Sequence, residues 1–226
     1  MNCSAVLLSG GLDSAVLLAD EASSHDEVQP IYVGAGLAWE AAERALITAF
    51  LANARLRGRL RTLATLTVDM LDVYAATHWA VTGHAPGYHT PDKDVYLPGR
   101  NLVLLSKAGV YCAAAHIGRL VMGTLDHNPF PDATPEFRAA MQRAMTLGLG
   151  ETLEIAAPYS TLSKAEVVRR GAALGVPFEL TLSCMSPRGT SHCGACSKCR
   201  ERHDAFRDAG LPDPTTYVEM ANVRAS

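Results

Sequence analysis

The sequence is short of several features, and each absence narrows its class. No apolar run approaches the ~20 residues that a membrane-crossing helix needs. No basic N-terminal stretch leads into a long apolar segment, so no signal peptide is expected and a cytoplasmic location follows. Positive charge is not in excess: 20 Lys and Arg face 23 Asp and Glu, for a net charge of −3. Binding to nucleic acid through a broad basic surface is therefore not expected. There is no internal repeat and no low-complexity segment. Neither a Gly-Lys-Ser/Thr loop ending nor a spaced Gly-x-Gly-x-x-Gly occurs, which excludes Walker-type and dinucleotide-type phosphate loops. What remains is an ordinary composition, with 48% hydrophobic and 19% charged residues among 226. That is enough for one sizeable core and a small appendage.

The hydrophobic pattern alternates between short apolar runs and longer amphipathic ones. Asn2–Leu8, Val28–Val33, Leu63–Val68, Leu120–Gly123 and Leu153–Ala157 read as strands. Leu12–Ser23, Trp39–Leu56, Asn101–His116, Thr134–Leu147 and Lys164–Leu174 read as helices, the last ended by Gly175 with Pro177 beyond. Strands alternating with helices predict an α/β fold: a Rossmann-like parallel sheet with helices on both faces. Ligands in such sheets sit at the carboxyl ends of the strands. From about Pro177 cysteine, glycine, proline and charge replace the pattern. The boundary is placed at 176/177, with an α/β domain over 1–176 and a small helical, metal-held lobe over 177–226.

Ser9-Gly10-Gly11-Leu12-Asp13-Ser14 lies between the first apolar run and the first helix. Two glycines permit a turn in which backbone N–H groups converge, two serines add hydroxyls, and the helix presents its positive end. Such a site takes phosphate or pyrophosphate. The hexapeptide resembles the PP-loop of ATP pyrophosphatases, which split ATP into AMP and pyrophosphate. The bland alternative is a strand-to-helix turn capped by Asp13 or Ser14. A carboxylate beside ATP makes sense if Asp13 faces Mg²⁺ or caps a backbone donor.

Four of the six cysteines, Cys184, Cys193, Cys196 and Cys199, follow the spacing C-x8-C-x2-C-x2-C. Two-residue gaps turn successive thiolates onto one ion, and the longer loop returns Cys184 as the fourth ligand. Four thiolates suit a closed, structural Zn²⁺ site. An iron–sulfur cluster, disulfides, or replacement of one cysteine by His192 or His203 are the alternatives. Cys3 and Cys112 sit in apolar runs and read as core residues.

The run Leu97 to Ser106, with Pro98-Gly99-Arg100-Asn101 at its head, joins these motifs. So do Pro131-Asp132 with Glu136-Phe137, Leu162-Ser163-Lys164-Ala165-Glu166, and Cys193-Gly194-Ala195-Cys196-Ser197-Lys198-Cys199 followed by Arg202, Phe206 and Asp213 to Tyr217. In this order, over nearly the whole chain, they resemble the 7-cyano-7-deazaguanine synthase family of the PP-loop superfamily. The resemblance implies an ATP-dependent ligase that turns 7-carboxy-7-deazaguanine and ammonia into the nitrile. The carboxylate is adenylated, ammonia gives the amide, and a second activation drives dehydration. It also implies Mg²⁺ with ATP, Zn²⁺ in the C-terminal lobe and a homodimer. Bringing a carboxylate to the α-phosphate sets two anions against each other, so cations are needed. Arg100 and Lys164 are the candidates, with Asp13 alongside, and the nucleotide falls to Ser9, Gly10, Gly11, Leu12, Asp13 and Ser14. Asn101, Asp126 and Asp132 are candidates for the purine-like ring or for Mg²⁺. His127 reads as a surface residue.

Two stretches depart from the family pattern. After the second strand the family carries Tyr-x-Gln-Arg-His, whereas here the chain reads Tyr32-Val33-Gly34-Ala35-Gly36-Leu37-Ala38-Trp39-Glu40. The segment from Trp79 to Pro91 also differs, and residues 185–192 differ in detail. These changes open a second reading: a related ligase that adenylates another carboxylate or stops at the amide. More distant alternatives are a tRNA thiolase, with Cys112 as a conceivable sulfur carrier, or a lysidine-type ligase, and a non-catalytic zinc- and nucleotide-binding module. The chain is too short to add a glutaminase domain, so ammonia must come from outside.

Overall fold

The computed structural model describes residues 3–56 and 59–219. Strand β1 (Cys3–Leu7) is followed by helix α1 (Leu12–Ser24), β2 (Glu27–Gly34), α2 (Glu40–Asn53), β3 (Arg59–Leu60) and β4 (Ala64–Thr67). Then come the short α3 (Trp79–Thr82), α4 (Arg100–Ala114), β5 (Arg119–Val121), α5 (Pro135–Leu149), β6 (Glu154–Ala156), α6 (Lys164–Ala173) and α7 (Ser197–Ala209). The expected first strand began at Asn2, which lies outside the described residues. The other expected strands and helices are present, with ends shifted by a few residues.

All strand pairs are parallel, in the order β3-β2-β1-β5-β6, with β4 also on β2. The sequence pattern missed β3, a two-residue strand without alternation. β3 and β4 share one edge of β2, and the chain leaves that edge between them. Pro30 of β2 sits at this break, where no backbone N–H is needed. The Gln29 side chain fills the gap by donating to Thr62 O at 2.8 Å and Pro30 O at 2.8 Å.

Alternate strand residues feed the two faces. Val6 and Leu8 pack with α1, α2, α6 and α7 through Leu17, Ile47, Phe50, Val167 and Phe206. Ala5 and Ile31 pack on the other face with Leu105, Ala108 and Cys112 of α4 and Met145 of α5. The C-terminal segment is built into this domain. Phe206 and Ala205 of α7 belong to the first core, and Leu182 N donates to Gly10 O at 2.7 Å. Arg202, fully buried, ties that segment together by donating to Thr215 Oγ1, Thr181 Oγ1 and Phe178 O. No helix among the described residues is long and apolar enough to cross a membrane.

The connection from β1 leads to β2 on one side, while β5 flanks β1 on the other. This is the switch point of the sheet, and a crevice opens there above the strand ends.

Candidate active site

A cavity of about 550 Å³ fills that crevice. Its floor is the loop after β1. Gly10 takes the left-handed conformation, φ +77°, which a side chain would resist, and a Cβ there would press on Ile47. Gly11 is the N-cap of α1 and no side chain caps that helix. Asp13 and Ser14 therefore do not play the capping role. Ser14 Oγ donates to Gly11 O at 3.0 Å and lies 3.3 Å from Ser9 Oγ. The first-turn N–H groups of α1 are left for a ligand, and the helix field favours an anion there.

Asp13 instead meets Lys164. Lys164 Nζ lies 3.1 Å from Asp13 Oδ2 and 2.5 Å from Glu201 Oε1. Its placement has a local cause. Ser163 and Glu166 form a reciprocal capping box that fixes the first turn of α6, so Lys164 projects toward the loop. A lysine in a helix's first turn faces the positive end of the dipole. Burial would depress its pKa, but Asp13 and Glu201 outweigh burial and hold it above the ordinary lysine value. Glu201 is the converse: burial would raise it, yet Lys164 and Lys198 pull it down to about 2. Lys198 Nζ pairs with Glu201 Oε2 at 2.5 Å. Asp13 Oδ1 is buried without a hydrogen-bond partner, a hard oxygen acceptor open to a cation.

Arg100 enters from the opposite wall. Gly99, at φ +74°, turns the chain into α4, and Tyr74 Oη steadies the turn by donating to Pro98 O at 3.1 Å. Arg100 lines the cavity, and its Nε is buried without a partner. The neighbouring candidates Asn101 and Asp132 also line it, but they bind each other. Asn101 N donates to Asp132 Oδ2 at 3.0 Å and Asn101 Nδ2 to Asp132 O at 3.2 Å. Asp126 stands at the exposed rim, where its Oδ1 accepts from His127 N at 2.8 Å. His127 is a surface residue at 94% side-chain exposure.

The remaining wall is aromatic, and sequence reasoning did not assemble it. Trp39 and Trp79 stack with centroids 5.8 Å apart, and Tyr96 and Phe130 stack at 5.2 Å. All four line the cavity. Trp39 and Trp79 belong to the two stretches that depart from the family pattern, so those departures meet in space. Ala38 N donating to Ala80 O at 2.9 Å joins them further. Between this wall and the loop lies Glu43, buried, accepting from Tyr32 Oη at 2.9 Å. Burial raises its carboxyl to about 7, against the opposing charge of Arg100 and the Tyr32 hydrogen bond. Glu43 and Glu201 give no signal in the sequence, because each sits in an ordinary charged run, and Lys198 reads only as part of the cysteine motif.

The four cysteines Cys184, Cys193, Cys196 and Cys199 converge, their sulfurs all within 4.8 Å of one another. Sulfur pairs at 3.5, 3.8 and 4.0 Å suit a single ion. A tetrahedron with metal–sulfur bonds of about 2.3 Å has edges of about 3.8 Å. The sulfurs are too far apart for disulfides and too close to surround a polynuclear cluster. Backbone N–H groups of Ser186 and Cys193 point at Cys184 Sγ at 3.3 Å, as suits a thiolate ligand. His192 is not in the set: its Nε2 accepts from Ser183 N at 3.0 Å. Cys112, buried on the far face with its thiol pushed up to about 12 by burial, does not line the cavity.

The 7-cyano-7-deazaguanine synthase of Anaeromyxobacter sp. (strain Fw109-5) is 34% identical over 230 residues, covering 95% of both chains. That of Methanoculleus marisnigri is 34% identical over 216 residues, covering 93% of this chain and 96% of its own. Among solved structures, a 4-thiouridine synthetase–RNA complex with bound ATP aligns at a TM-score of 0.48 and 14% identity, over 92% of this chain and 50% of that one. The family described as queuosine biosynthesis protein QueC matches residues 4–210, a span that takes in the loop, Arg100, Lys164 and all four clustered cysteines. This chain is a member of the QueC family.

Proposed function

We propose that the chain is an ATP-dependent carbon–nitrogen ligase that converts 7-carboxy-7-deazaguanine and ammonia to 7-cyano-7-deazaguanine. The observation that carries this reading is that Lys164, paired to Asp13 of the loop, and Arg100, whose Nε has no partner, line one cavity. One acts as a point charge and the other as a bidentate fork, the two kinds of cation that a carboxylate and a phosphate need to approach each other.

In the first half-reaction a carboxylate oxygen of the acid attacks the α-phosphorus of ATP and pyrophosphate leaves. The N–H groups of Leu12 and Asp13 in the first turn of α1 and the Lys164 ammonium receive the charge that develops on the phosphates. Arg100 orients the carboxylate. Ammonia then adds to the acyl carbon, a proton is lost and AMP departs, leaving the amide. In the second half-reaction the amide oxygen attacks the α-phosphorus of a second ATP and pyrophosphate leaves again. Loss of AMP and of both amide protons leaves the nitrile. The Trp39–Trp79 and Tyr96–Phe130 pairs bind the flat ring and exclude water from the acyl adenylate. Asp126 at the rim contributes to ring binding, while Asn101 and Asp132 brace the turn that presents Arg100.

Asp13 Oδ1 would hold Mg²⁺, which supplies charge neutralisation at the phosphates. The four cysteine thiolates would hold Zn²⁺, which supplies a cross-link within the C-terminal lobe over 177–226. The enzyme acts in the cytoplasm as a homodimer on free ammonia and needs no nucleic acid.

One observation favours a second reading. The stretches that depart from the family pattern come together as the Trp39–Trp79 wall, at the acid end of the cavity. A ligase with intact ATP chemistry and a different acid, or one that stops at the amide, fits that wall. Mass spectrometry of a reaction with Mg-ATP, ammonium and 7-carboxy-7-deazaguanine decides. Nitrile with AMP supports the main reading; amide alone, or AMP only with another acid, supports the second.

A further inference from the structure

Lys164 is not the only lysine at the loop. Lys198 also lines the cavity, its side chain one-quarter exposed, and its Nζ shares the Glu201 carboxylate with Lys164. The order in space is Asp13, Lys164, Glu201, Lys198, with successive separations of 3.1, 2.5 and 2.5 Å. We propose that Lys198 is a second phosphate-binding residue of this cavity, delivered by the cysteine-rich segment, and that Glu201 is the positioning residue for both lysines. The proposal rests on the reading that the cavity takes ATP.

Three observations carry it. First, each lysine sits in the first turn of its helix, Lys164 opening α6 and Lys198 second in α7. That is where the helix dipole disfavours a cation and favours an anion. Two such placements converging on one carboxylate are poor for stability and apt for holding an incoming anion. Second, the backbone under Lys198 is held. It lies between Cys196 and Cys199, whose sulfurs are 3.5 Å apart, and Cys199 N donates to Cys196 O at 3.0 Å. Arg200, two residues on, donates to Tyr88 O at 2.8 Å and ties the helix to the loop over the cavity. Third, the charges in the chain of four cancel. The two lysines can therefore turn on their flexible stems from the carboxylates to phosphate oxygens without leaving the site. Lys198 stands farthest from Asp13 of the loop in this chain of contacts, with Lys164 and Glu201 between, so it is assigned to the outer phosphates.

The test is equilibrium binding to the full-length, metal-replete chain, using α,β-methylene-ATP and AMP as probes. Lys198→Ala should weaken the triphosphate analogue about tenfold and leave AMP within about twofold, because one charge-assisted contact to the outer phosphates is lost. Lys198→Arg should retain most of the affinity. Lys198→Met, which keeps the stem, should behave as the alanine variant does. Metal content and unfolding temperature equal to wild type certify each variant. Unchanged binding of the analogue in Lys198→Ala and Lys198→Met, with tight binding in wild type, overturns this proposal alone. So does an equal loss of analogue and AMP. A wild-type chain that binds neither probe overturns the ATP reading and this proposal with it.

Discussion

The two ends of the cavity are built differently. The end proposed for the phosphates is made of a loop, helix N-termini and compact charges held by one another: Asp13, Lys164, Glu201 and Lys198. The end proposed for the acid is made of stacked rings and one buried carboxyl, Glu43, and Arg100 lines the same cavity. Phosphate chemistry is the same for every substrate, so its residues follow a fixed local spacing. Acid recognition depends on shape, and shape is assembled from segments distant in the chain. The difference teaches where this enzyme can change its substrate without losing its reaction.

The sharpest way to break the comparison is at the phosphate end. Lys164→Ala should lower kcat by about 10²-fold or more, with little change in the KM for the acid, measured by AMP release under saturating ATP. An effect confined to the acid's KM would place Lys164 on the wrong side of the division.

The next largest effect concerns the segment that feeds both ends, since α7 carries Lys198 and Glu201 while Arg200 ties down residues 88–92. Cys196→Ser should release the metal and lower Tm by about 10 °C or more. Metal analysis with differential scanning calorimetry reads both, and binding of nucleotide and acid should weaken together.

At the acid end, Trp79→Ala should raise the KM for the acid about three- to tenfold through lost stacking, while the affinity for the ATP analogue stays unchanged. Steady-state kinetics beside nucleotide titration separates the two.

A further effect, read on stability and not on turnover, is a pH dependence. The carboxyl of Glu43 is raised from 4.5 to about 7 by burial. Between those values the native state binds a proton that the unfolded chain has released, so stability falls as pH rises through that window. Glu43→Gln removes this loss. Its Tm relative to wild type should climb from pH 5 to pH 7.5, by an amount corresponding to at most about 3 kcal/mol. A flat difference would mean that Glu43 is charged throughout.

Much of the phosphate end was legible in the sequence because its parts are contiguous. Ser9 to Ser14, Ser163 to Glu166 and the cysteine spacing each announce a local geometry. The parallel sheet was legible from the alternation of apolar runs, except β3, which two residues cannot signal. The acid end was not legible in this way. Trp39 and Trp79 lie forty residues apart, and only the fold stacks them. Asn101 and Asp132 read as ligand-binding groups, yet folding turns them toward each other. Glu201 gives no signal in the sequence and Lys198 is only a member of the cysteine motif, because their meeting with Lys164 exists only once α7 is docked beside α6.

The central claim is that this cavity activates a carboxylate by transferring AMP to it. Its most direct test uses 7-carboxy-7-deazaguanine labelled with ¹⁸O in the carboxylate, turned over with ATP and ammonium. The released AMP should carry one ¹⁸O atom from the acid. Unlabelled AMP, or ADP and phosphate in its place, would contradict it.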